Sequence, residues 1–194
     1  MIKVFWGLMV VALLAGCAAP RSAGVRPYSD NRAWVLLEDM DYQIGNSQFT
    51  IVVPKGFVTD YASVPQMLWG ALSPHDNYSR AAVVHDYLYW TQICTRPQSD
   101  NIMQIAMKES EVPKWKQIAV YGAVSLLGQA SWDENKEFRK QGLIRIIPDG
   151  TEPPGANETW DAHQLRLQKS GAKETPISAN PEFCKIGNQA NIPF

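Results

Sequence analysis

The first seventeen residues (MIKVFWGLMVVALLAGC) decide how much of this chain is left to fold. One basic residue, Lys3, precedes an apolar run from Val4 to Leu14, and small residues Ala15 and Gly16 stand before Cys17. A charged start, an apolar middle and a small-residue cut site make a secretory leader, which is removed from a mature chain. The run is too short to stay as a membrane span, which takes about 20 residues. Without residues 1–16, 178 of the 194 residues remain, enough for one domain with its own core. Export also sets the redox conditions. In an oxidising compartment Cys94 and Cys184 are expected to bridge, tying the tail to the loop after the His85 helix. Two unpaired thiols are the alternative. There is no Cys-x-x-Cys, so neither a zinc knuckle nor a thioredoxin-like motif is indicated.

The end of the leader, Leu14-Ala15-Gly16-Cys17, resembles a bacterial lipoprotein signal. The resemblance implies that Cys17 takes a diacylglyceryl group, that the chain is cut before it, and that the new amine is acylated, by palmitate for example. Ala18 rather than Asp after the cut implies sorting to the outer membrane, facing the periplasm, in a Gram-negative host. Several acyl chains anchor firmly, since each buried methylene contributes roughly 0.8 kcal/mol. The expected location is the cell envelope, with the membrane as first partner. Residues 17–32 (CAAPRSAGVRPYSDNR) read as a flexible tether. Lys and Arg number 18 against 19 Asp and Glu, with no basic run, so nucleic acid is not an expected partner.

The pattern predicts an α+β fold: a small antiparallel β-sheet packed against about four helices, with an irregular C-terminal tail. The domain is read over 33–147 and the tail over 148–194. Segments 33–38 and 48–54 are rich in β-formers, Tyr42 and Ile44 alternate with polar neighbours, and Gly45-Asn46 signals a hairpin. Helices are expected over 64–72 behind Ser63, over 78–91, over 99–110 with Ser99 as cap, and from Pro113 to about Ser131 with a polar extension stopped by Gly142. The apolar stretch 118–127 is broken by Gly122 and Ser125 and reads as a core helix rather than a membrane span. Residues 143–147 (LIRII) read as a strand, and a short helix is expected near 158–169. The tryptophans Trp34, Trp69, Trp90, Trp115, Trp132 and Trp160 read mainly as core, with Trp90 near the site. His75 and His163 read as surface residues.

Apolar packing does not explain one polar set: Thr59-Asp60-Tyr61-Ala62-Ser63-x-Pro65, then His85-Asp86-x-Leu88-Tyr89, then Asp100. Ala81, Ala82, Leu88 and Tyr89 share the His85 face of a helix, so the imidazole turns inward. Asp100 lies near the start of the next helix, folded back by a tight loop. Buried charge is costly unless paired, hydrogen-bonded or bound to metal. Clustering such groups is therefore structural pairing or a site.

The segments 53–65 (VPKGFVTDYASVP) and 80–89 (RAAVVHDYLY), with Asp100 downstream, resemble the domain of unknown function 1353 family of phages and bacteria. Pro54, Gly56, Phe57, Thr59, Asp60, Ala62, Ser63 and Pro65 match its first block; His85, Asp86, Leu88 and Tyr89 match its second. The resemblance covers roughly residues 33–130 and marks a site without supplying a reaction.

Two catalytic arrangements fit these residues. In one, His85, Asp60 and Asp100 hold a divalent metal, Zn or Mn, Asp86 orients the imidazole, and bound water attacks. In the other, Ser63 attacks with His85 as base and an Asp orienting it, although no Gly-x-Ser-x-Gly elbow is present. The structural alternative has Asp60 capping a turn, His85 and Asp86 pinning two helices, and Asp100 as a first-turn acid. The resulting expectation is a lipid-anchored envelope protein with a His/Asp hydrolytic site. Its substrate by location is peptidoglycan or another envelope polymer. A non-catalytic envelope lipoprotein, serving binding, assembly or phage exclusion, is the rival.

Overall fold

The computed structural model describes residues 24–61, 77–177 and 181–193. The leader, Cys17, Ser63, the 64–72 helix, Trp69 and His75 lie outside the described residues. The architecture is α+β. Strands β1 (Val25–Pro27), β2 (Trp34–Leu36) and β5 (Val58–Thr59) form one antiparallel sheet in the order β1-β2-β5, and β3 (Met40–Gln43) pairs with β4 (Thr50–Val53) in a second. The hairpin turns at Gly45, whose φ of 55° suits glycine. Its register pairs Met40 with Val53 and Tyr42 with Ile51, so these four side chains share the buried face.

Helix α1 (Ser79–Thr91) is the centre of the molecule: every residue from Ala81 to Thr91 is buried. A helix that is apolar nearly all round has to be enclosed. Helix α2 (Arg96–Glu109) begins three residues before the expected start. Thr95, not Ser99, is its cap; the Thr95 hydroxyl accepts from the Gln98 N–H and the Gln98 side chain accepts from the Thr95 N–H. Ser99 is buried one turn in and donates to the Thr95 carbonyl. Helix α3 (Lys114–Lys140) follows Pro113 and absorbs the polar extension, and Gly142 stops it at a φ of 79°. No helix among the described residues is long and apolar enough to cross a membrane.

Several segments differ from the sequence expectation. Part of the expected tether, Val25–Pro27, is a strand, because Tyr28 beside it is buried and bonded to His163. Proline is tolerated there because β1 is an edge strand. Residues 143–147 do not form a strand. They make a single bridge, Phe57 to Ile146, because the Glu174 carboxylate takes the N–H groups of Arg145 (2.6 Å) and Ile146 (2.8 Å). The C-terminal part is more ordered than an irregular tail. Helix α4 (Trp160–Lys169) adds Trp160 and Leu167 to a second apolar cluster with Tyr28, Val35, Val58 and Ile144. A 3-10 helix, Glu182–Asn188, packs on α2, where a Cβ on Gly187 would stand 2.5 Å from the Gln98 carbonyl oxygen. The expected Cys94–Cys184 bridge is formed across 90 positions of sequence, and such crosslinks typically contribute about 2–4 kcal/mol. Trp115 is 56% exposed rather than core. Trp90 is enclosed, its indole N–H donating to Glu174.

Two predictions follow from this packing. A Cβ on Gly128 would fall on the Tyr89 hydroxyl, and the Tyr89 ring is held edge-on by Trp132 at 5.1 Å. Alanine gains about 1 kcal/mol of helix propensity over glycine, while overpacking costs about 1–3 kcal/mol. Gly128→Ala is therefore expected to lower stability in urea denaturation; a rise of about 1 kcal/mol would show that α3 does not press on Tyr89. His163 is buried rather than exposed, and its Nδ1 shares a 2.8 Å bond with the Tyr28 hydroxyl. Burial pushes its pKa below the ordinary imidazole value, helped by Arg166. The unfolded chain then binds a proton near pH 6.5 that the folded chain refuses. Melting temperature should fall as pH drops below about 6.5, and His163→Gln should flatten that slope. An unchanged slope would contradict the assignment.

Candidate functional site

Burying α1 puts His85 and Asp86 where water cannot satisfy them, so each needs protein partners. The turn between α1 and α2 passes through Gln92 at a φ of 53° and brings Asp100 back against His85. Asp100 is 4% exposed and His85 3%. His85 Nε2 lies 2.9 Å from Asp100 Oδ1, and the Tyr89 hydroxyl donates to the same oxygen at 2.6 Å. Arg96, one turn before Asp100, donates to Oδ2 at 3.0 Å. Burial raises the Tyr89 pKa well above the phenol range, with the Asp100 bond and charge adding to it, so the phenol remains a donor. The Tyr89 ring also covers the imidazole, with centroids 4.0 Å apart.

The next residue, Asp86, faces the sheet. It accepts from the Thr59 hydroxyl at 2.5 Å and from the Asp60 N–H at 3.2 Å. The Thr59 hydroxyl in turn accepts from the Tyr61 N–H at 3.0 Å, which fixes a left-handed turn at Tyr61, φ 56°. The imidazole is thus oriented by Asp100, while Asp86 holds the end of β5. The Asp60 carboxylate pairs with Arg145 at 3.4 Å, and Arg145 Nε donates to the Val58 carbonyl at 3.0 Å.

These bonds bear on the metal arrangement. Among the described residues no three His, Cys, Asp or Glu side chains are placed to hold an ion. Both Asp100 oxygens already accept from cationic or hydroxyl donors, and Asp60 pairs with an arginine. The set His85, Asp60 and Asp100 forms a hydrogen-bonded dyad and a separate ion pair, which do not fit a three-ligand centre. One atom is left over. His85 Nδ1 is buried and has no hydrogen-bond partner among the described residues. Such an orphan calls for an explanation.

His85 lies on the wall of a cavity of about 740 Å³, with Asp60, Asp86, Tyr89 and Arg145. That volume is typical of small-molecule sites. Across from the polar wall stand Val120, Val124 and Leu127 of α3, with Leu165 and Trp160 of α4. The site therefore joins a charged wall to an apolar one.

Sequence reasoning missed Arg96, Arg145 and Glu174. Arg96 was legible, because it stands four positions before Asp100 on one helix face. Arg145 lies far along the chain from Asp60 and has no local signal. Glu174, which fixes the backbone of Arg145, lies in a stretch without periodicity.

Comparison with known proteins agrees with the motif. Residues 34–124 match the family described as protein of unknown function (DUF1353). The chain is 36% identical over 78 residues to the uncharacterized protein y4jT of Sinorhizobium fredii. That match covers 39% of this chain and 23% of the relative, so the chain spans less than a quarter of that protein's length. No solved structure matches. Thr59, Asp60, His85, Asp86, Tyr89, Arg96 and Asp100 all fall inside the matched segment, so the polar set lies where this chain is similar to the DUF1353 family.

Proposed function

We propose that the cavity is a hydrolytic site in which His85 is the general base and Asp100 its orienting partner. The observation that carries this reading is the asymmetry of the imidazole. One nitrogen is bonded to a buried carboxylate; the other, also buried, has no partner among the described residues, and His85 lines the cavity. With Nε2–H donating to Asp100, the Nδ1 lone pair is the one available for a proton. Nδ1 takes a proton from water as the water oxygen adds to a carbonyl carbon. The imidazolium is stabilised by Asp100 and returns that proton to the leaving alcohol or amine as the scissile bond breaks. Among the described residues, Arg32 and the Asp60-paired Arg145 are cations on the cavity lining, and their field favours a developing oxyanion.

The leader ending at Cys17 supports a lipid-anchored place in the cell envelope, so the substrate we assign is an ester or amide found there. Ser63 would use the same base, and labelling by a fluorophosphonate distinguishes it from water as nucleophile.

The test is turnover of p-nitrophenyl acetate. General acid–base catalysis is worth roughly 10²–10⁴-fold. His85→Gln, which keeps an amide donor for Asp100, is expected to lower the rate at least about a hundredfold with its melting temperature retained. A variant as fast as the wild type, or a wild type no faster than buffer, would contradict the proposal.

A further inference from the structure

The apolar side of the cavity is more than filler. Leu127 is 69% exposed and Leu165 is 49% exposed, yet both line the cavity together with the buried Val120 and Val124. Large apolar side chains left open beside a concave site mark a place where an apolar group docks. The charges at the same mouth are uneven. Asp30, Glu134 and Asp161 line it against Arg32, while Arg145 is already paired with Asp60. Glu134, Asp161 and Arg32 are exposed, and Asp30 is half-buried. An anionic ligand would meet net repulsion there, and a cationic or neutral one would not.

We infer that the site takes an amphiphile: an apolar chain along the α3–α4 wall, an ester or amide at His85, and a neutral or cationic group at the acidic mouth. This names the substrate class of the hydrolytic site and rests on that reading for the bond that is cut, but its binding part stands alone. Two independent features converge on the cavity that His85 lines: the open leucines and the sign of the mouth.

Binding is measured with probes that cannot be hydrolysed, using protein labelled with carbon-13 in its Leu and Val methyl groups. Octyltrimethylammonium is expected to shift the methyl signals of Val120, Val124, Leu127 and Leu165. Its affinity should exceed that of butyltrimethylammonium by roughly fourfold per added methylene. Octanoate should bind at least tenfold more weakly, and Asp161→Asn with Glu134→Gln should shrink that gap. Leu127→Ser changes an exposed position, so it keeps the fold, and it should weaken octyltrimethylammonium at least fivefold.

Equal affinity for octanoate and octyltrimethylammonium would overturn the inference, as would shifts confined to Leu126, which is exposed on α3 and does not line the cavity. Chain-dependent binding by a protein without esterase activity would uphold this inference and remove the hydrolytic reading. Ester turnover with no dependence on chain length or charge would do the reverse.

Discussion

The structure turns on one buried carboxylate. Asp100 sits 4% exposed between α1 and α2 and must be satisfied within the protein. Four bonds would have been cheap in water; here three come from fixed donors, His85, Tyr89 and Arg96. Stripping one partner from a buried charge costs about 3–5 kcal/mol, so the arrangement is strongly specified. It sets the rotation of α1 against α2. It also decides which imidazole nitrogen is engaged and which is left over, and so where any chemistry begins.

The rest of the molecule brings walls to that nitrogen. Gly128 lets α3 come down on Tyr89, which closes the site from above and places Val124 and Leu127 at the cavity. Glu174 holds the backbone of Arg145, so that its guanidinium meets Asp60 at the opposite wall. Helix α4 completes the mouth with Trp160 and Leu165. The matched segment ends at residue 124, so the dyad lies inside it, while Arg145 and the α4 wall lie beyond it.

Much of this was legible in the sequence where the signal is local. The alternation of Tyr42 and Ile44 with the Gly45-Asn46 turn signal marked the hairpin, Gly142 the end of α3, and the inward face of His85 its burial. The start of α2 was misplaced although Thr95 and Gln98 spell a capping box, because Ser99 offered a competing cap. Other features had no local trace. Tyr28 becomes core only because His163 and Trp160 reach it from the far end of the chain. The β-rich run 143–147 is kept from a regular ladder by Glu174, a residue nothing nearby announces. Asp100 rather than the expected Asp86 orients the imidazole for the same reason: which carboxylate meets it depends on the α1–α2 crossing, not on spacing.

The central claim is the protonation pattern of one ring, and it can be read directly. A long-range proton–nitrogen correlation spectrum of nitrogen-15 histidine-labelled protein, at mildly alkaline pH, reports which His85 nitrogen carries the hydrogen. The account predicts Nε2–H facing Asp100 with Nδ1 bare, and a loss of that preference in Asp100→Asn. A neutral His85 protonated on Nδ1, indifferent to residue 100, would contradict it.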